Sequence, residues 1–317
     1  MTTPRPRPLL EGCYVTIPTM FHDDEGLSVD TAAIRRHVNF LIDGGLTTGN
    51  AVLLAGGAAG DFSTMTFDER VKVWETAIEA ANGRVPIAVG GQTTSTLELV
   101  RLAKAAERVG ADFLQVSPPF YHSTTEGDFY EYLKAAADAS DIGLIIYNTY
   151  WTSLGMSTGL VEKLVDMPNI VSLKWASADT GMMEFEQIVS RFAKRFAIID
   201  NQMRYVSSHI LGARSIEIHQ GNYWPQFAVG LWQMLERGEY AKAQHEMVRV
   251  AMPFIELWVE IEGWTGGDGY LDKLCMELVG LPSSRNRPPT RDVREQFREK
   301  CRQMLIATGV PNVVGAA

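Results

Sequence analysis

The chain has 317 residues, which allows one barrel-sized domain with an appendage or two domains of ordinary size. It is 46% hydrophobic and 21% charged, a composition typical of a globular protein that buries a large core. The formal net charge is −9 and no basic stripe occurs, which disfavours nucleic acid and anionic membranes as partners.

The cysteines and the hydropathy pattern indicate the cellular compartment. Cys13, Cys275 and Cys301 are odd in number and far apart in sequence, which disfavours a disulfide framework and a zinc site and favours a reducing compartment. Residues 1–8 lack the apolar run of a signal peptide, and no stretch of about 18 apolar residues occurs that would span a membrane. We therefore expect a cytoplasmic protein.

Short apolar runs alternate with longer segments of helical periodicity. The runs predict strands at Val15–Pro18, Ala51–Leu54, Pro86–Gly90, Phe113–Val116, Ile142–Tyr147, Ile170–Lys174, Phe196–Ile199 and Ser215–His219. Helices are predicted at Val29–Ile42, Asp68–Ala81, Thr96–Val109, Glu126–Ala137, Gly159–Val165, Phe185–Phe192, Tyr205–Leu211 and Phe227–Glu236. Eight strand–helix steps without a break predict an α/β fold, a closed (β/α)8 TIM barrel rather than an open doubly wound sheet.

The chain stays helical in pattern beyond the barrel. Further helices are predicted at Tyr240–Ile261, Tyr270–Val279 and Arg291–Ile306. We therefore expect an N-terminal tail at 1–11, the barrel at 12–237 and a C-terminal helical extension at 238–317 that packs on the barrel.

Lys174 is the strongest catalytic candidate, because active sites of such barrels lie at the C-terminal ends of the strands. Alternation along Ile170–Lys174 places Val171 and Leu173 outward and Ser172 and Lys174 inward. Burial favours the neutral amine, which attacks a carbonyl and forms a Schiff base. The alternative is a structural pairing of Lys174 with a carboxylate. The other lysines fall in patterns typical of solvated side chains.

Tyr147 ends the preceding strand, within expected reach of Lys174. Its phenol is a candidate for moving protons at an imine, and simple packing at the barrel mouth is the alternative. The glycine-rich loop Ala55–Asp61 lets backbone N–H groups approach an anion. It lacks the motifs of nucleotide-binding loops, so a carboxylate fits it better, although such turns also occur in barrels without a ligand there.

Other strand ends contain polar or aromatic residues. Glu217 and His219 share one face of a strand, and a hydrogen-bonded pair is favoured over a metal site because no third ligand is evident. Four aromatic residues are candidates for a wall around a substrate, with a barrel cap or subunit contact as the alternative. They are Tyr150, Trp151, Tyr223 and Trp224.

Four motifs together resemble the dihydrodipicolinate synthase/N-acetylneuraminate lyase family of class I, Schiff-base barrels. They are Gly57-Ala58-Ala59-Gly60-Asp61, Ser117-Pro118-Pro119-Phe120-Tyr121, Ile146-Tyr147-Asn148 and Leu173-Lys174-Trp175-Ala176-Ser177. The resemblance runs from about Gly12 to the C-terminal helices. It implies a lyase that binds a 2-oxo acid such as pyruvate as an imine on Lys174, uses no cofactor or metal, and assembles as a homotetramer.

The resemblance also implies roles for individual residues. Tyr147 is the proton relay, the backbone of Ala58 and Ala59 holds the substrate carboxylate, and Gly57 of the same loop is a substrate-binding candidate. Further substrate-binding candidates are Tyr121, Asn148, Trp151, Gly221 and Trp224.

Departures from the family pattern concern the substrate. Ala58 and Ala59 replace two threonines, which removes a hydroxyl from the tyrosine relay and a donor to the carboxylate. The segment Tyr150-Trp151-Thr152 stands where the synthases have Pro-Ser-Arg, whose arginine grips a second carboxylate. The sequence therefore disfavours aspartate semialdehyde and favours a bulky or aromatic aldehyde, as in hydratase-aldolases that cleave aryl-substituted pyruvates.

Two alternatives stay open. Residues Ala55–Phe62 also resemble sugar-acid dehydratases such as 5-dehydro-4-deoxyglucarate dehydratase, in which an imine expels water from a 3-deoxy-2-oxo sugar acid. The loss of both threonines is also compatible with a non-catalytic homologue that only binds a ligand.

Overall fold

The computed structural model describes residues 8–178 and 183–315. Eight strands form a closed barrel in chain order, with parallel pairing that returns from the last strand to the first. The strands are β1 (Gly12–Ile17), β2 (Ala51–Ala55), β3 (Ile87–Gly90), β4 (Phe113–Val116), β5 (Gly143–Tyr147), β6 (Ile170–Trp175), β7 (Ala197–Asp200) and β8 (Ser215–Glu217). The prediction of a (β/α)8 barrel is confirmed.

A helix follows each strand. These helices are α1 (Thr31–Asp43), α2 (Phe67–Ala81), α3 (Thr96–Arg108), α4 (Glu126–Ala139), α5 (Thr158–Leu164), α6 (Glu184–Phe192), α7 (Tyr205–Ile210) and α8 (Pro225–Glu236). Local chemistry sets their starts: Thr66 and Glu69 form a reciprocal capping box at α2, and Thr125 and Asp128 form one at α4.

The C-terminal helices are α9 (Tyr240–Glu246), α10 (Met252–Glu262), α11 (Tyr270–Leu278) and α12 (Arg294–Ala307). The prediction of helix over Tyr240–Ile261 is confirmed, and the structure adds a π-helical turn at Met247–Ala251 between α9 and α10. Pro253 stands in the first turn of α10, where it has no N–H to donate and its ring crowds the preceding turn. Cys275 and Cys301 are free thiols with their sulfurs 3.5 Å apart.

The chain divides into two compact units. Unit 1 comprises the described residues up to Tyr14 together with Thr48–Leu54 and Pro86–Glu217. Unit 2 comprises Val15–Thr47, Ala55–Val85 and the described residues from Ile218 onward. The domain boundaries expected after residues 11 and 237 stay a prediction, and residues 1–7 and 316–317 of that scheme lie outside the described part of the chain. Within the described residues, no helix is long and apolar enough to cross a membrane.

The barrel interior in unit 1 is filled by apolar side chains from several strands. This cluster consists of Leu10, Tyr14, Val52, Leu54, Ala88, Phe113, Ile145 and Ile199. Val171 packs against it, so the expectation that Val171 points outward is wrong. The register of β5 on β6 shifts between Leu144 and Ile145, which leaves Val171 as an extra residue in β6 and breaks the simple alternation there.

Candidate active site

Lys174 lies near the end of β6 and is almost completely buried, with 3% of its surface exposed. Its Nζ forms an ion pair with Oε2 of Glu217 at the end of β8. The same Nζ lies 4.2 Å from the ring centre of Tyr147 and 5.4 Å from that of Tyr14. The amine is therefore enclosed in unit 1 by a carboxylate and two aromatic rings.

The strand register brings Tyr147 to Lys174. Tyr147 ends β5 and is the direct pairing partner of Lys174 in β6, so both side chains leave the sheet on the same side. The Tyr147 hydroxyl accepts a hydrogen bond of 3.1 Å from Nδ2 of Asn201, which follows β7. Tyr147 is 8% exposed. The structure thus brings together the two residues to which the sequence assigned the chemistry.

Opposing effects act on the Lys174 amine. Burial disfavours the ammonium form, whereas the Glu217 carboxylate and the faces of the two tyrosine rings favour it. The structural alternative from the sequence, a lysine paired with a carboxylate, is therefore present in the geometry. Such a pair also supplies what a nucleophilic amine requires, a base in contact with the proton that must leave.

Tyr14 closes the opposite side of the amine. Its hydroxyl donates a 2.9 Å hydrogen bond to Oε1 of Gln115 on β4. Burial raises the pKa of Tyr14 well above its usual range, and repulsion between the ionised forms of Tyr14 and Tyr147 adds to this effect. Tyr14 therefore stays neutral and acts as a fixed aromatic surface.

The segment after β5 holds Asn148 and Trp151. The Asn148 side chain donates to the carbonyl of Ala176 at 2.8 Å and accepts from the N–H of Met156 at 3.0 Å, so it closes the loop in which Trp151 stands. The Trp151 ring is 52% exposed and lies edge-on to the Tyr147 ring at 5.8 Å. An aromatic surface thus leads from Lys174 by way of Tyr147 to solvent.

The glycine-rich loop belongs to unit 2 and is tightly folded. A Cβ at Gly60 would lie 2.9 Å from the backbone nitrogens of Gly56 and Gly57, so only glycine fits there. The N–H of Gly60 donates to the carbonyl of Gly57, and the N–H of Asp61 donates to that of Ala58. Among the described residues, the N–H groups of Ala58 and Ala59 have no hydrogen-bond acceptor in the protein.

Asp61 at the end of this loop forms a buried cluster. Lys273 donates to Asp61 at 2.6 Å and Asn286 donates to it at 3.0 Å. Burial raises the pKa of Asp61 and lowers that of Lys273. The expectation that every lysine other than Lys174 is solvated is wrong, because Lys273 is 2% exposed and packed in α11.

The remaining candidates of unit 2 lie after β8. Gly221 is buried against Val15, where a Cβ would lie 2.7 Å from a methyl group. Tyr223 is buried beside Phe254, so it belongs to the core of unit 2 rather than to a substrate wall. Trp224 stacks on Phe227 at 5.0 Å.

Glu217 and His219 each have a charged partner that the sequence did not indicate. Glu217 pairs with Lys174 in unit 1, and Nδ1 of His219 lies 3.1 Å from Asp272 in unit 2. In residues 8–178 and 183–315, no group of three potential ligand side chains that could hold a metal ion is found.

Sequence reasoning missed the roles of Tyr14 and Asn201. Tyr14 precedes the predicted strand Val15–Pro18, whereas β1 begins at Gly12 and places Tyr14 inside the barrel. Asn201 directly follows β7, and its position at a strand end is the one sequence feature that marks it. Tyr121, a substrate-binding candidate, is 88% exposed and contacts the ring of His122.

A closed parallel barrel with a buried lysine at the end of β6 and a tyrosine beside it defines a class I aldolase, a lyase that works through a Schiff base. The chain belongs to the dihydrodipicolinate synthetase family, whose sequence profile matches residues 9–308. Members of this family act on small molecules, pyruvate and an aldehyde.

Curated relatives and solved structures align with nearly the whole chain. The 4-hydroxy-tetrahydrodipicolinate synthase of Rhodopseudomonas palustris is 39% identical over 306 residues, which cover 96% of this chain and 99% of that protein. The protein of the same name from Bradyrhizobium diazoefficiens is 30% identical over 95% of this chain and 97% of its own length. The dihydrodipicolinate synthase of Acinetobacter baumannii in complex with pyruvate superposes with a TM-score of 0.83 at 25% identity, covering 95% of this chain and all of that one.

Proposed function

We propose that this protein binds a 2-oxo acid of the pyruvate type as an imine on Lys174 and makes or breaks a carbon–carbon bond to a bulky or aromatic aldehyde. The observation that supports this most directly is the position of Trp151. Its half-exposed ring lies edge-on to Tyr147, and the Tyr147 ring lies 4.2 Å from the amine of Lys174. An aldehyde that reacts beside the imine therefore meets an aromatic surface.

The residues of unit 1 have distinct roles in this proposal. The protonated imine on Lys174 withdraws electrons from the neighbouring carbon and so replaces a cofactor. The Tyr147 hydroxyl, oriented by Asn201, exchanges a proton with the reacting oxygen. Asn148 positions Trp151 through its two hydrogen bonds to the loop rather than through substrate contact.

For unit 2 the proposal assigns a binding role to the glycine-rich loop. The N–H groups of Ala58 and Ala59, which are without a protein acceptor among the described residues, bind a carboxylate. Backbone donors do this without the hydroxyls that the two alanines lack. Gly57, Gly221 and Trp224 stay predictions as further substrate-binding positions.

The name shared by the relatives points to a second candidate, 4-hydroxy-tetrahydrodipicolinate synthase activity. Its support is the 39% identity over nearly the whole chain. Against it, residues 150–152 are Tyr-Trp-Thr, which have no guanidinium to bind a second carboxylate. The dehydratase alternative uses the same imine on Lys174 as the aldolase but releases a different product.

A substrate panel separates these activities. Wild-type protein is incubated with pyruvate and either an aryl aldehyde or aspartate semialdehyde, and separately with a 3-deoxy-2-oxo sugar acid, and the products are identified by mass spectrometry. We expect the aryl aldehyde to give the larger kcat/KM. Turnover of aspartate semialdehyde alone would establish the synthase, and release of a dehydrated oxo acid alone would establish the dehydratase.

Variants at Trp151 test the aromatic surface itself. Trp151→Ala should lower kcat/KM for the aryl aldehyde about fivefold, and Trp151→Phe should retain most of it, since an aromatic pair contributes about 1 kcal/mol. Borohydride-trapped adduct formation with pyruvate should be unchanged in both variants. An equal loss of adduct and of turnover would show that Trp151 supports the loop only.

The oligomeric state proposed from the family resemblance is a homotetramer. The 88% exposure of the large Tyr121 side chain supports a subunit contact at this position. Sedimentation equilibrium of wild type and Tyr121→Ser measures it: we expect a tetramer that the substitution weakens. A monomeric wild type would contradict this part of the proposal.

A further inference from the structure

The carboxylate of Glu217 touches the reactive amine, yet the function proposed above gives it no part in the chemistry. Glu217 ends β8 and Lys174 lies in β6, so the two side chains meet inside the barrel past the intervening strand β7. Glu217 is 8% exposed and Lys174 is 3% exposed. The ion pair is therefore shielded from bulk water at the atom that must react.

Proton removal at this amine requires a base inside the barrel. An ammonium has no lone pair and must lose a proton before it attacks a carbonyl. Tyr147 presents its ring face to Nζ, and its hydroxyl accepts a hydrogen bond from Asn201. Tyr14 also faces Nζ with its ring, and its hydroxyl donates to Gln115. The Glu217 carboxylate is a base in direct contact with Nζ.

Moving the proton within the pair is energetically accessible. In a low-dielectric interior both charges of the pair lack full solvation, so transfer of the proton from ammonium to carboxylate removes two desolvation penalties at once. The result is a neutral amine beside a carboxylic acid. This acid is then placed to protonate an oxygen on the carbon that the amine has attacked.

We propose that Glu217 is a catalytic residue that takes the Lys174 proton and returns it during imine formation, an inference that rests on the proposed function. First, the Glu217 carboxylate accepts a proton from the ammonium. The amine then bonds to the keto carbon, and one N–H proton moves to the former carbonyl oxygen to give a carbinolamine. Finally the Glu217 acid protonates that hydroxyl, the C–O bond breaks, water leaves, and the protonated imine and the carboxylate remain.

The pH dependence of wild type tests this without any substitution. Transfer within the pair exchanges no proton with solvent. The reactive neutral form therefore has a constant population at pH values between the two titrations of the pair. The rate of imine formation should then be level from about pH 7 to 9. A lysine that stays an ammonium through this range and loses its proton to water would instead react about tenfold faster for each pH unit. Such a rise in wild type would overturn the proposal.

Other titratable groups around the pair do not obscure this window. Tyr14 on β1 and Tyr205 on α7, whose hydroxyl donates to the Glu217 carbonyl, have pKa values raised by burial well above the usual range. Asp200 on β7 has a pKa raised by burial to about 6, which lies below the window. The contribution of Tyr147 on β5 is tested with Tyr147→Phe. The rate of imine formation in this variant should be as level with pH as in wild type.

Substitution of Glu217 provides the second test. The rate at which pyruvate forms a borohydride-trappable adduct is followed by intact-protein mass spectrometry, and folding is checked by near-UV circular dichroism. Glu217→Gln should slow adduct formation at least about a hundredfold and give a rate that rises with pH. Glu162→Gln, which removes an exposed carboxylate of unit 1, should leave the rate unchanged.

Rescue by a small acid distinguishes an acid–base role of Glu217 from a role in packing alone. In Glu217→Ala, added formate should restore adduct formation in a saturable manner, whereas neutral formamide of similar size should not. Adduct formation at the wild-type rate in Glu217→Gln would overturn the role of Glu217, as would equal rescue by both additives. Failure of wild type to form any adduct would instead refute the proposed function. If both variants fail to fold, the wild-type pH profile decides.

Discussion

The side-chain amide of Asn201 donates a 3.1 Å hydrogen bond to the hydroxyl of Tyr147, and so links the end of β7 to the end of β5. Lys174 lies in the strand between them. The hydrogen bond fixes one lone pair of the phenol oxygen. It thereby orients the group to which we assign proton exchange.

Removal of this hydrogen bond should reduce turnover modestly. Asn201→Ala is expected to lower kcat about fivefold, because a neutral hydrogen bond contributes about 1 kcal/mol. Tyr147→Phe removes the hydroxyl itself and should lower kcat at least about a hundredfold. Steady-state kinetics of both variants and of the double variant check this. The Asn201 substitution should have no further effect when the hydroxyl is already absent, and two fully additive losses would contradict the orienting role.

Asp200, the residue before Asn201, should make stability depend on pH. Burial raises the pKa of its carboxyl from 3.8 to about 6, partly offset by hydrogen bonds from Ser208 and the N–H of Gln202. Between these values the folded state holds a proton that the unfolded state has released. The contribution of Asp200 to the free energy of unfolding therefore falls as pH rises from about 4 to 6.

The variant Asp200→Asn lacks this titration. Its stability relative to wild type should increase by about 3 kcal/mol between pH 4 and 6 and then stay level, since each pKa unit corresponds to about 1.4 kcal/mol. Urea unfolding of both proteins at several pH values measures the difference. Parallel stability profiles across this range would show that Asp200 is not protonated in the folded state.

Gly269 should be essential for the position of the glycine-rich loop. Its φ is +73° and a Cβ there would lie 2.2 Å from the carbonyl oxygen of Ala59, so Gly269→Ala imposes both a backbone strain and a clash with the loop backbone. Gly83 is a matched control, because it has the same φ of +73° with no atom within 4 Å of a Cβ.

The two glycine variants distinguish the cost of backbone strain, which both share, from the cost of a steric clash, which only Gly269→Ala has. Gly83→Ala should lower the free energy of unfolding by about 1 kcal/mol, which is the cost of the left-handed backbone alone. Gly269→Ala should cost clearly more and should also raise KM for the 2-oxo acid, since the Ala58–Ala59 backbone moves. Urea unfolding and steady-state kinetics check both effects. Equal destabilisation with unchanged KM would mean that the loop is not held by Gly269.

The parts of the structure that depend on local periodicity were predictable. Alternation along β6 and the position of β5 before it were enough to place Lys174 and Tyr147 at neighbouring strand ends. The same reasoning failed for Val171, because the register shift between β5 and β6 inserts an extra residue that no alternation pattern shows. Helical periodicity also predicted the helix over Tyr240–Ile261 but not its π-helical turn at Met247–Ala251, although Pro253 marks the place.

Pairings between distant positions were not predictable from the sequence. Glu217 meets Lys174 because of the tilt and stagger of strands two places apart, and residue spacing does not encode that geometry. Lys273 has the pattern of an amphipathic helix, yet Asp61 and Asn286 hold it in the interior. In both cases the sequence indicates charged residues, and only the fold decides which partner each one meets.

The most direct test of the account is the site at which pyruvate is trapped. Wild-type protein is incubated with pyruvate and sodium borohydride and then digested, and the modified peptide is identified by mass spectrometry. We predict one reduced adduct, on Lys174, with the equally buried Lys273 unmodified and no adduct in Lys174→Ala. An unmodified wild type, or an adduct that persists in Lys174→Ala, would contradict a Schiff-base mechanism at this residue.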